Sequence, residues 1–374
     1  MKDVFIVADN IVSPPGNTTI ENFNGLLKNI SSVQQHHNTK INNEPFYASL
    51  FDEAVFTTND RYTKFEQLLI ASIDEAMKQT TIDVTDKKSL LIISTTKGNI
   101  SLLETAIYND ELKKRIALHT SAKLVAEYFG FTNQPLIVSN ACISGLLGII
   151  TAMRLIQSNQ YENIIVAGAD VITKFVLSGF QSFQALSDGI CKPFDKNRNG
   201  INLGEGAATM ILSSGKKTAD DIKVVSGAVS NDANHISGPS RTGDELYQCI
   251  NTSMKEANLN ASDIDFISAH GTATIYNDEM EAKAIASAGL QSSPVNSLKG
   301  YYGHTLGAAG LIESIISIQS LQQNIVIPTK GFEEIGVSKS INICDEIIQA
   351  PLQHCLKTAS GFGGCNATVI FSKQ

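Results

Sequence analysis

Apolar residues occur along the chain in short blocks whose spacing alternates between that of strands and that of helices. Runs of consecutive apolar, often β-branched residues predict strands that are buried on both faces. In the first part of the chain these runs are Asp3–Val12, Ser89–Ser94, Leu136–Ser139, Asn163–Ala167 and Ala207–Leu212. Between them, Phe65–Gln79 and Ser121–Phe129 carry apolar residues at helical spacing, which predicts amphipathic helices.

The same alternation restarts at Ile222. The later predicted strands are Ile222–Val229, Asp265–Ala269 and Ala367–Ser372, and the later predicted helices are Leu246–Ala257, Asp278–Ala288 and Leu306–Gln322. Strands that alternate with helices predict a layered α/β architecture. The restart predicts two similar halves, residues 1–221 and 222–374, and the lack of a Pro-rich or Gly/Ser-rich linker predicts one compact unit. The polar stretch Asn29–Tyr47 is expected to be an irregular surface insertion.

Composition narrows the classes of function. The chain has 374 residues, of which 43% are hydrophobic and 18% charged, and this is typical of a globular protein with a large core. A formal charge of −8 argues against nonspecific binding of nucleic acid, which needs a basic surface. The sequence shows no apolar run long enough to span a bilayer, and residues 1–12 do not resemble a signal peptide, so we expect a cytoplasmic protein.

Six cysteines, at positions 142, 191, 249, 344, 355 and 365, form no CxxC pair and have no metal-finger spacing. In such a chain the default is a set of reduced thiols that pack as small apolar residues. A catalytic role for any one of them must therefore be argued from its surroundings.

The segment Val138–Ile150 runs from a buried strand through a turn of small residues into an apolar helix. This places Cys142 at or near a helix N-terminus, where unsatisfied N–H groups and the helix dipole favour a thiolate and lower the thiol pKa. The small side chains of Ala141, Ser144 and Gly145 leave room for a substrate carbonyl. The pattern fits an inert cysteine on a core helix equally well.

Three further segments carry candidate chemistry. His270 directly follows the predicted strand Asp265–Ala269, at the carboxyl end where α/β proteins place their sites. Lys299 and His304 lie on a Gly-rich turn that leads into an apolar helix. The loop Ser360–Gly364 has N–H groups that can face a developing oxyanion, and no helix follows it as a dinucleotide fingerprint would require. Taken singly, each segment also fits a structural histidine, a solvated lysine or an ordinary turn.

Together these segments resemble the β-ketoacyl-acyl-carrier-protein synthases of the thiolase superfamily, in the elongating branch with a Cys-His-His triad. The resemblance extends over nearly the whole chain and includes Lys192–Gly200 and Leu203–Ala207, which are similar to the "PFD" and "GEGA" segments of that family. It implies a thiolase-like fold in which two similar α/β halves form α-β-α-β-α layers, with the active site between the halves.

The resemblance also implies roles for individual residues. Cys142 would be the acylated nucleophile, His270 and His304 would flank the second substrate, and Lys299 would support them electrostatically. The remaining expected site residues are Asp278, Glu281 and Glu313 around the lysine, Cys142 and Phe362 as oxyanion donors, Phe362 and Gly363 in the gating loop, and Thr272, Thr274 and Asn366 for substrate binding. The implied reaction is a decarboxylative Claisen condensation of an acyl group on Cys142 with malonyl-carrier protein, with neither metal nor cofactor.

Four alternative functions are compatible with parts of this pattern. A thiolase would need a second catalytic cysteine, for which Cys365 is the candidate, and we interpret Cys365 as a packing residue. A starter-unit synthase would carry Asn in place of His304. A non-condensing partner, such as a chain-length subunit, would lose the nucleophile, and a pure carrier-docking scaffold would not need the intact set of Cys142, His270, Lys299 and His304.

The resemblance also predicts partners and a narrower group. An acyl carrier protein delivers the thioesters, and the synthase forms a homodimer or a heterodimer with a related ketosynthase. The short segment between Phe183 and Lys192 and the Lys97 turn resemble synthases of aryl-polyene pigment pathways. Since such carriers are acidic, docking needs a local basic patch, for which we predict Arg61 and Lys64, or alternatively residues 113–115.

Overall fold

The computed structural model describes residues 2–56, 61–216, 218 and 221–373. Its strands are β1 Phe5–Val12, β2 Gln34–His36, β3 Phe46–Ser49, β4 Ser89–Ser94, β5 Leu136–Val138, β6 Asn163–Asp170, β7 Leu203–Gly204, β8 Gly206–Ser213, β9 Lys223–Asn231, β10 Phe266–Ser268, β11 Val295–Asn296, β12 Ile325–Val326, β13 Ile348–Gln349, β14 His354–Gly361 and β15 Cys365–Ser372. Its helices are α1 Thr19–Leu27, α2 Lys64–Met77, α3 Asp110–Ile116, α4 Leu118–Phe129, α5 Ser144–Gln157, α6 Lys174–Ser182, α7 Asp244–Ala257, α8 Ile275–Ser287, α9 Lys299–Tyr302 and α10 Ala309–Gln323. Short 3-10 turns cover Glu53–Val55, Ile100–Glu104, Ala261–Asp263 and Leu306–Ala308.

The main sheet contains the same strand arrangement twice. Its order is β11-β10-β14-β15-β9-β1-β8-β6-β4-β5, so five strands of the later chain adjoin five of the earlier chain. In each set the outer three strands are parallel and the inner pairs are antiparallel. The two sets meet where Phe5 of β1 pairs with Lys223 of β9. This repeat confirms the prediction of two similar α/β halves.

Three hydrophobic clusters show the layering. Helices α2 and α4 pack against the outer face of the first half-sheet, where Leu69 and Val125 are fully buried. Helices α7 and α8 cover the outer face of the second, with Ile250 and Ile285 buried. Helices α5 and α10 lie between the two half-sheets in the largest cluster, which includes Ile149. The order of layers is therefore helix, sheet, helix, sheet, helix, as the fold prediction requires.

Local sequence explains why these helices begin and how they are buried. Thr63 forms a capping box with Glu66, and α2 begins at the next residue, Lys64. In α10 every residue from Ala309 to Leu321 is buried, because a helix that is apolar on all sides can be covered only in a central layer. Among the described residues, no helix combines the length and the apolar character needed to cross a membrane.

The structure also contains elements that the sequence did not predict, among them α1, α6 and the two segments that follow. The stretch Asn29–Tyr47, expected to be irregular, contains β2 and the start of β3, which pair antiparallel; its residues are mostly exposed, so the strand pattern has no apolar alternation to reveal it. The central strand β14 was not predicted at all. Its apolar residues are interrupted by Lys357, Thr358 and Ser360, which are buried because polar groups of the neighbouring elements bind them.

Candidate active site

The turn between β5 and α5 presents Cys142. Ala141 has a φ of 42°, a left-handed conformation that is costly for a residue with a side chain. The Ser144 hydroxyl closes the turn, because it accepts from the backbone N–H of Asn140 at 2.8 Å and donates to the carbonyl of Ala141 at 2.7 Å. Cys142 precedes α5 by two residues and is only 8% exposed. The turn therefore holds the thiol at the floor of a cavity.

The two predicted histidines converge on this thiol. Their rings lie edge to face, with centroids 5.3 Å apart and an interplanar angle of 83°. The sulfur of Cys142 and the ligand nitrogens of His270 and His304 all lie within 4.8 Å of one another. The cysteine lies more than a hundred positions before either histidine in the sequence, yet the three residues form one compact group.

Backbone hydrogen bonds position both histidines. The N–H of His270 donates to the Glu281 carboxylate at 2.8 Å, and the N–H of Gly271 donates to its other oxygen at 2.7 Å. The N–H of His304 donates to the Asn202 carbonyl at 2.7 Å, and the His304 carbonyl accepts from the N–H of Gly204 at 3.0 Å. Asn202, just before the segment similar to "GEGA", and Gly204 within it therefore hold the backbone of the second histidine.

Two buried aspartates accept hydrogen bonds from the loops next to the histidines and so hold those loops in place. Asp278 accepts from the N–H groups of Phe194 at 2.7 Å and Thr272 at 2.9 Å, so it joins the "PFD" segment to the loop after His270. Asp170 accepts from the N–H of Gly307 at 2.7 Å and from the hydroxyl of Thr95 at 2.8 Å. The sequence prediction included Asp278 but missed Asp170, which stands at the end of an apolar strand.

Lys299 is fully buried beneath the histidines. Its ammonium group donates to the carbonyl of His270 at 3.0 Å and forms an ion pair with Glu313. A second buried lysine, Lys357 on β14, contacts the other oxygen of Glu313 at 2.7 Å. Sequence reasoning missed Lys357; the signal for it is a lysine within the apolar run Cys355–Ala359.

Burial raises the pKa of the Cys142 thiol to about 12, and the neighbouring Cys365 adds to this effect, while Lys299, Lys97 and a backbone hydrogen bond of Phe362 oppose it. The prediction of a lowered pKa was therefore wrong. The physical reason is that an ionised sulfur at this depth loses its hydration, and this cost exceeds the stabilisation available before the first turn of α5. The resting site holds a neutral thiol.

Burial also lowers the pKa of His270 and His304 well below the usual value, and the positive charges of Lys299 and Lys357 lower both further. Both imidazoles are consequently neutral at pH 7, and each can donate one proton and accept one. Burial would raise the pKa of Glu313, but the two lysines outweigh it and keep the carboxylate ionised. Burial raises the pKa of Asp278 to about 7.

The Gly-rich segment is a tight hairpin turn between β14 and β15, in which Gly361 pairs with Cys365. A Cβ atom on Gly361 would lie 2.9 Å from the backbone nitrogen of Cys142, so only glycine allows the turn to approach the nucleophile this closely. The N–H of Gly363 donates to the Ile236 carbonyl at 2.8 Å. Phe362 is 38% exposed.

A cavity of about 360 Å³ leads to these groups. Thr272, Thr274 and Asn366 line it, together with the Cys-His-His group. The threonine hydroxyls are 2.8 Å apart, whereas the Asn366 side-chain oxygen accepts from Ser360 at 2.8 Å. The wall also includes residues that the sequence prediction missed, namely Phe180, Phe183, His235, Ile275 and Tyr276. Phe362 packs against the rings of Phe180 and Phe183, at centroid distances of 5.7 and 5.2 Å.

Comparison with known proteins agrees with this geometry. The model of the β-ketoacyl synthase N-terminal domain matches residues 1–218, and that of the β-ketoacyl synthase C-terminal domain matches residues 222–333. The chain belongs to the β-ketoacyl synthase family. The prediction of a condensing, acyl-transferring enzyme is thereby confirmed, and its expected triad residues are the ones that converge in the structure.

Among relatives of this synthase, a 3-oxoacyl-[acyl-carrier-protein] synthase 2 from Vibrio harveyi is 27% identical over 407 residues, covering 99% of this chain and 98% of its own length. A ketosynthase in complex with its chain length factor from Xenorhabdus doucetiae has a similar fold, with a TM-score of 0.88 and 22% sequence identity. The match covers 100% of this chain and 98% of the other. A type II polyketide acyl-carrier protein in complex with its ketosynthase also has a similar fold. The TM-score is 0.88, the sequence identity is 21%, and the match covers 99% of this chain and 99% of the other. The thiolase-like fold is confirmed by these likenesses.

The Cys-His-His group of the synthase is, among the described residues, the set whose ligand atoms are close enough to share a metal ion. Histidines that bind metals usually donate their second ring nitrogen to a carbonyl or carboxylate. Nδ1 of His270 and both ring nitrogens of His304 have no hydrogen-bond partner. This arrangement leaves the nitrogens available to a substrate and lacks the outer support of a metal centre.

The basic residues predicted for carrier docking lie away from the cavity wall. Lys64 forms an ion pair with the buried Glu205 at 2.7 Å, and the guanidinium of Arg61 lies 5.2 Å from the Tyr62 ring. In the alternative patch, Arg115 forms an ion pair with Glu66. Lys64 and Arg115 thus have internal partners, and docking at Arg61 and Lys64 stays a prediction.

Proposed function

We propose that this synthase joins an acyl group held on Cys142 to a malonyl unit carried by an acyl carrier protein. The observation that carries the proposal is the approach of the Cys142 sulfur and the two imidazoles to within 4.8 Å at the floor of the cavity. A nucleophile and two neutral imidazoles are the groups that acyl transfer and enolate stabilisation require.

The first step is acyl transfer. The Cys142 sulfur attacks the thioester carbonyl of the acyl carrier and its proton passes to a neutral imidazole. The backbone N–H groups of Cys142 and Phe362 donate to the oxyanion, in keeping with the close approach of the turn at Gly361 to the backbone nitrogen of Cys142. The carrier thiolate then leaves, takes up the proton, and the acyl group remains on Cys142.

The second step is decarboxylation. The bond between the malonyl carboxylate and its α-carbon breaks, CO2 leaves, and the electron pair becomes an enolate of the carrier thioester. The imidazoles of His270 and His304 donate from Nε2 to the enolate oxygen, and in His304 neither ring nitrogen has a hydrogen-bond partner within the protein that would compete.

The third step forms the carbon–carbon bond. The enolate carbon attacks the carbonyl of the acyl-Cys142 thioester, and the oxyanion forms again in the same hole. The Cys142 thiolate then leaves and takes up one proton from solvent, which balances the loss of CO2 from the malonyl carboxylate. The product is a β-ketoacyl carrier thioester that is two carbons longer than the acyl group. Thr272, Thr274 and Asn366, which line the cavity, contact the carrier-linked substrate in this scheme.

The synthase would act with a protein partner. The named complexes of ketosynthases with a chain length factor and with an acyl-carrier protein support a homodimer or a heterodimer with a related subunit and a carrier as substrate donor. The type II polyketide complex also supports a polyketide pathway, and an aryl-polyene-type pathway stays a prediction from the sequence. All six cysteines are free thiols, which supports a reducing, cytoplasmic compartment. We place the boundary between the halves at residues 221 and 222, where the strand pattern restarts.

The proposal is tested by intact-mass detection of acyl groups on the protein after exposure to a panel of acyl carriers. Wild-type protein should gain one acyl mass at Cys142 and form β-ketoacyl product with malonyl carrier. Cys142→Ala should lose both. Cys249→Ala, which removes a buried thiol on α7, serves as the control and should retain both. Condensation by Cys142→Ala would contradict the mechanism, and a wild-type chain that never gains an acyl group would instead favour a non-condensing subunit.

A further inference from the structure

Lys357 is a buried cation for which the reaction scheme has given no role. It lies on β14 with no exposed surface. Its ammonium group donates to the carbonyls of Ser268 at 3.1 Å and Ala269 at 3.2 Å, and it contacts the Glu313 carboxylate at 2.7 Å. Two backbone carbonyls accept hydrogen bonds from the ammonium group and a carboxylate pairs with its charge, so this buried lysine sits in a polar site that compensates its charge.

The two lysines bind three consecutive carbonyls. Lys357 takes those of Ser268 and Ala269, and Lys299 takes that of His270, 3.0 Å away. Glu313 joins the two ammonium groups, one through each carboxylate oxygen. The backbone that leads from β10 to His270 is therefore held on its inner side by a Lys-Glu-Lys bridge.

The bridge also sets the local charge. Two lysines and one glutamate have a net charge of +1, and removal of Lys357 would leave a neutral pair. The charged and titratable groups that face the imidazoles are Cys142 before α5, Asp278 and Glu281 on α8, Lys299 on α9, Glu313 on α10 and Lys357 on β14. Because the bridge of Lys299, Glu313 and Lys357 has a net positive charge, it favours the negative charge that develops at the enolate oxygen.

We propose that Lys357 is a positioning residue of the decarboxylation step, which holds the His270 backbone through Ser268 and Ala269 and supplies, through Glu313, the second positive charge beneath the histidines. The inference rests on the proposed function. In keeping with it, Lys357 lowers the pKa of both imidazoles. Acylation of Cys142 depends on the backbone N–H groups of Cys142 and Phe362, so removal of Lys357 should affect acylation less than decarboxylation.

The test compares Lys357→Met, which keeps the side-chain length without the charge, with wild type. CO2 release from malonyl carrier should fall about tenfold or more, whereas acylation of Cys142 by acyl carrier should stay within about threefold. The imidazole pKa values, followed by NMR of ¹³C-labelled histidine and assigned with His270→Ala and His304→Ala, should rise by about one unit. Lys373→Met is the control, because Lys373 binds the carbonyl of Leu321 at the far end of α10.

Equal losses of acylation and decarboxylation, or unchanged imidazole pKa values, would overturn the proposal. If Lys357→Met does not fold, the double variant Glu313→Gln/Lys357→Met removes the ion pair while restoring the net charge of +1. In this double variant the imidazole pKa values should return toward those of wild type. Decarboxylation should still be reduced because the contacts of Lys357 with the two carbonyls are lost, and decarboxylation at the wild-type rate would overturn the proposed role.

If wild-type protein neither gains an acyl group nor releases CO2, the proposed function fails, while the NMR titration still tests Lys357.

Discussion

At the scale of single residues, the site depends on how deeply its titratable groups are buried. Cys142 is held as a neutral thiol and both imidazoles as neutral bases, because each charged form would lose hydration. The Glu313 carboxylate remains charged because the ammonium groups of Lys299 and Lys357 lower its pKa. Proton transfer from the thiol to an imidazole therefore accompanies acylation.

A residue-scale prediction concerns the histidines. His270→Ala and His304→Ala should each lower CO2 release from malonyl carrier by about 10²- to 10⁴-fold, because each removes a donor to the enolate. Acylation of Cys142 should fall less, since one imidazole remains as base. His119→Ala, at an exposed position on α4, is the matched control. A uniform loss in both half-reactions would contradict the assignment of these donors to decarboxylation.

At the scale of elements, the N-terminal ends of α5 and α10 bring the nucleophile and the second histidine together. A Cβ atom on Gly145 would lie 2.8 Å from the backbone nitrogen of Leu311, and one on Gly310 would lie 2.7 Å from that of Leu146. The two helices thus touch backbone to backbone. The distance between Cys142 and His304 depends on this contact because each residue shortly precedes one of the helices.

The element-scale prediction follows from this contact. Gly310→Ala should force α5 and α10 apart, lower the free energy of unfolding by about 1–3 kcal/mol, and reduce condensation at temperatures where the protein stays folded. Denaturant unfolding and product formation measure the two effects. Gly179→Ala on α6 has open space around its Cβ and should instead stabilise the protein by up to about 1 kcal/mol. Full activity in Gly310→Ala would show that the site tolerates the shift.

At the scale of the whole molecule, buried titratable groups link stability to pH. The pKa of both imidazoles is lower in the folded protein than in the unfolded chain, so below about pH 6.5 the unfolded state takes up more protons. The free energy of unfolding should therefore fall as the pH falls below that value, by up to about 1.4 kcal/mol per unit for each histidine. Asp9 and Asp278 act in the opposite direction, since burial raises their pKa to about 6 and about 7.

A comparison of variants separates these contributions. Chemical denaturation at pH 7.5 and pH 5.5 should show a larger loss of stability on acidification for wild type than for the double variant His270→Ala/His304→Ala. The aspartates are present in both proteins, so their contribution cancels in the difference. An identical pH dependence would mean that the imidazoles are not held neutral by the fold.

The sequence by itself determined the elements and the reactive residues. Apolar runs marked most strands of the main sheet, because burial on both faces leaves a local pattern, and the segments around Cys142, His270, Lys299 and His304 identified the family. Only the tertiary structure decided three features: the raised pKa of Cys142, the hydrogen bonds of Asp170 to Gly307 and Thr95, and the burial of Lys357 beside Glu313. These features depend on how deeply a side chain is buried and on partners that are distant in sequence. Glu313, Ser268 and Ala269 stabilise a buried lysine on β14, and no sequence pattern within β14 predicts those partners.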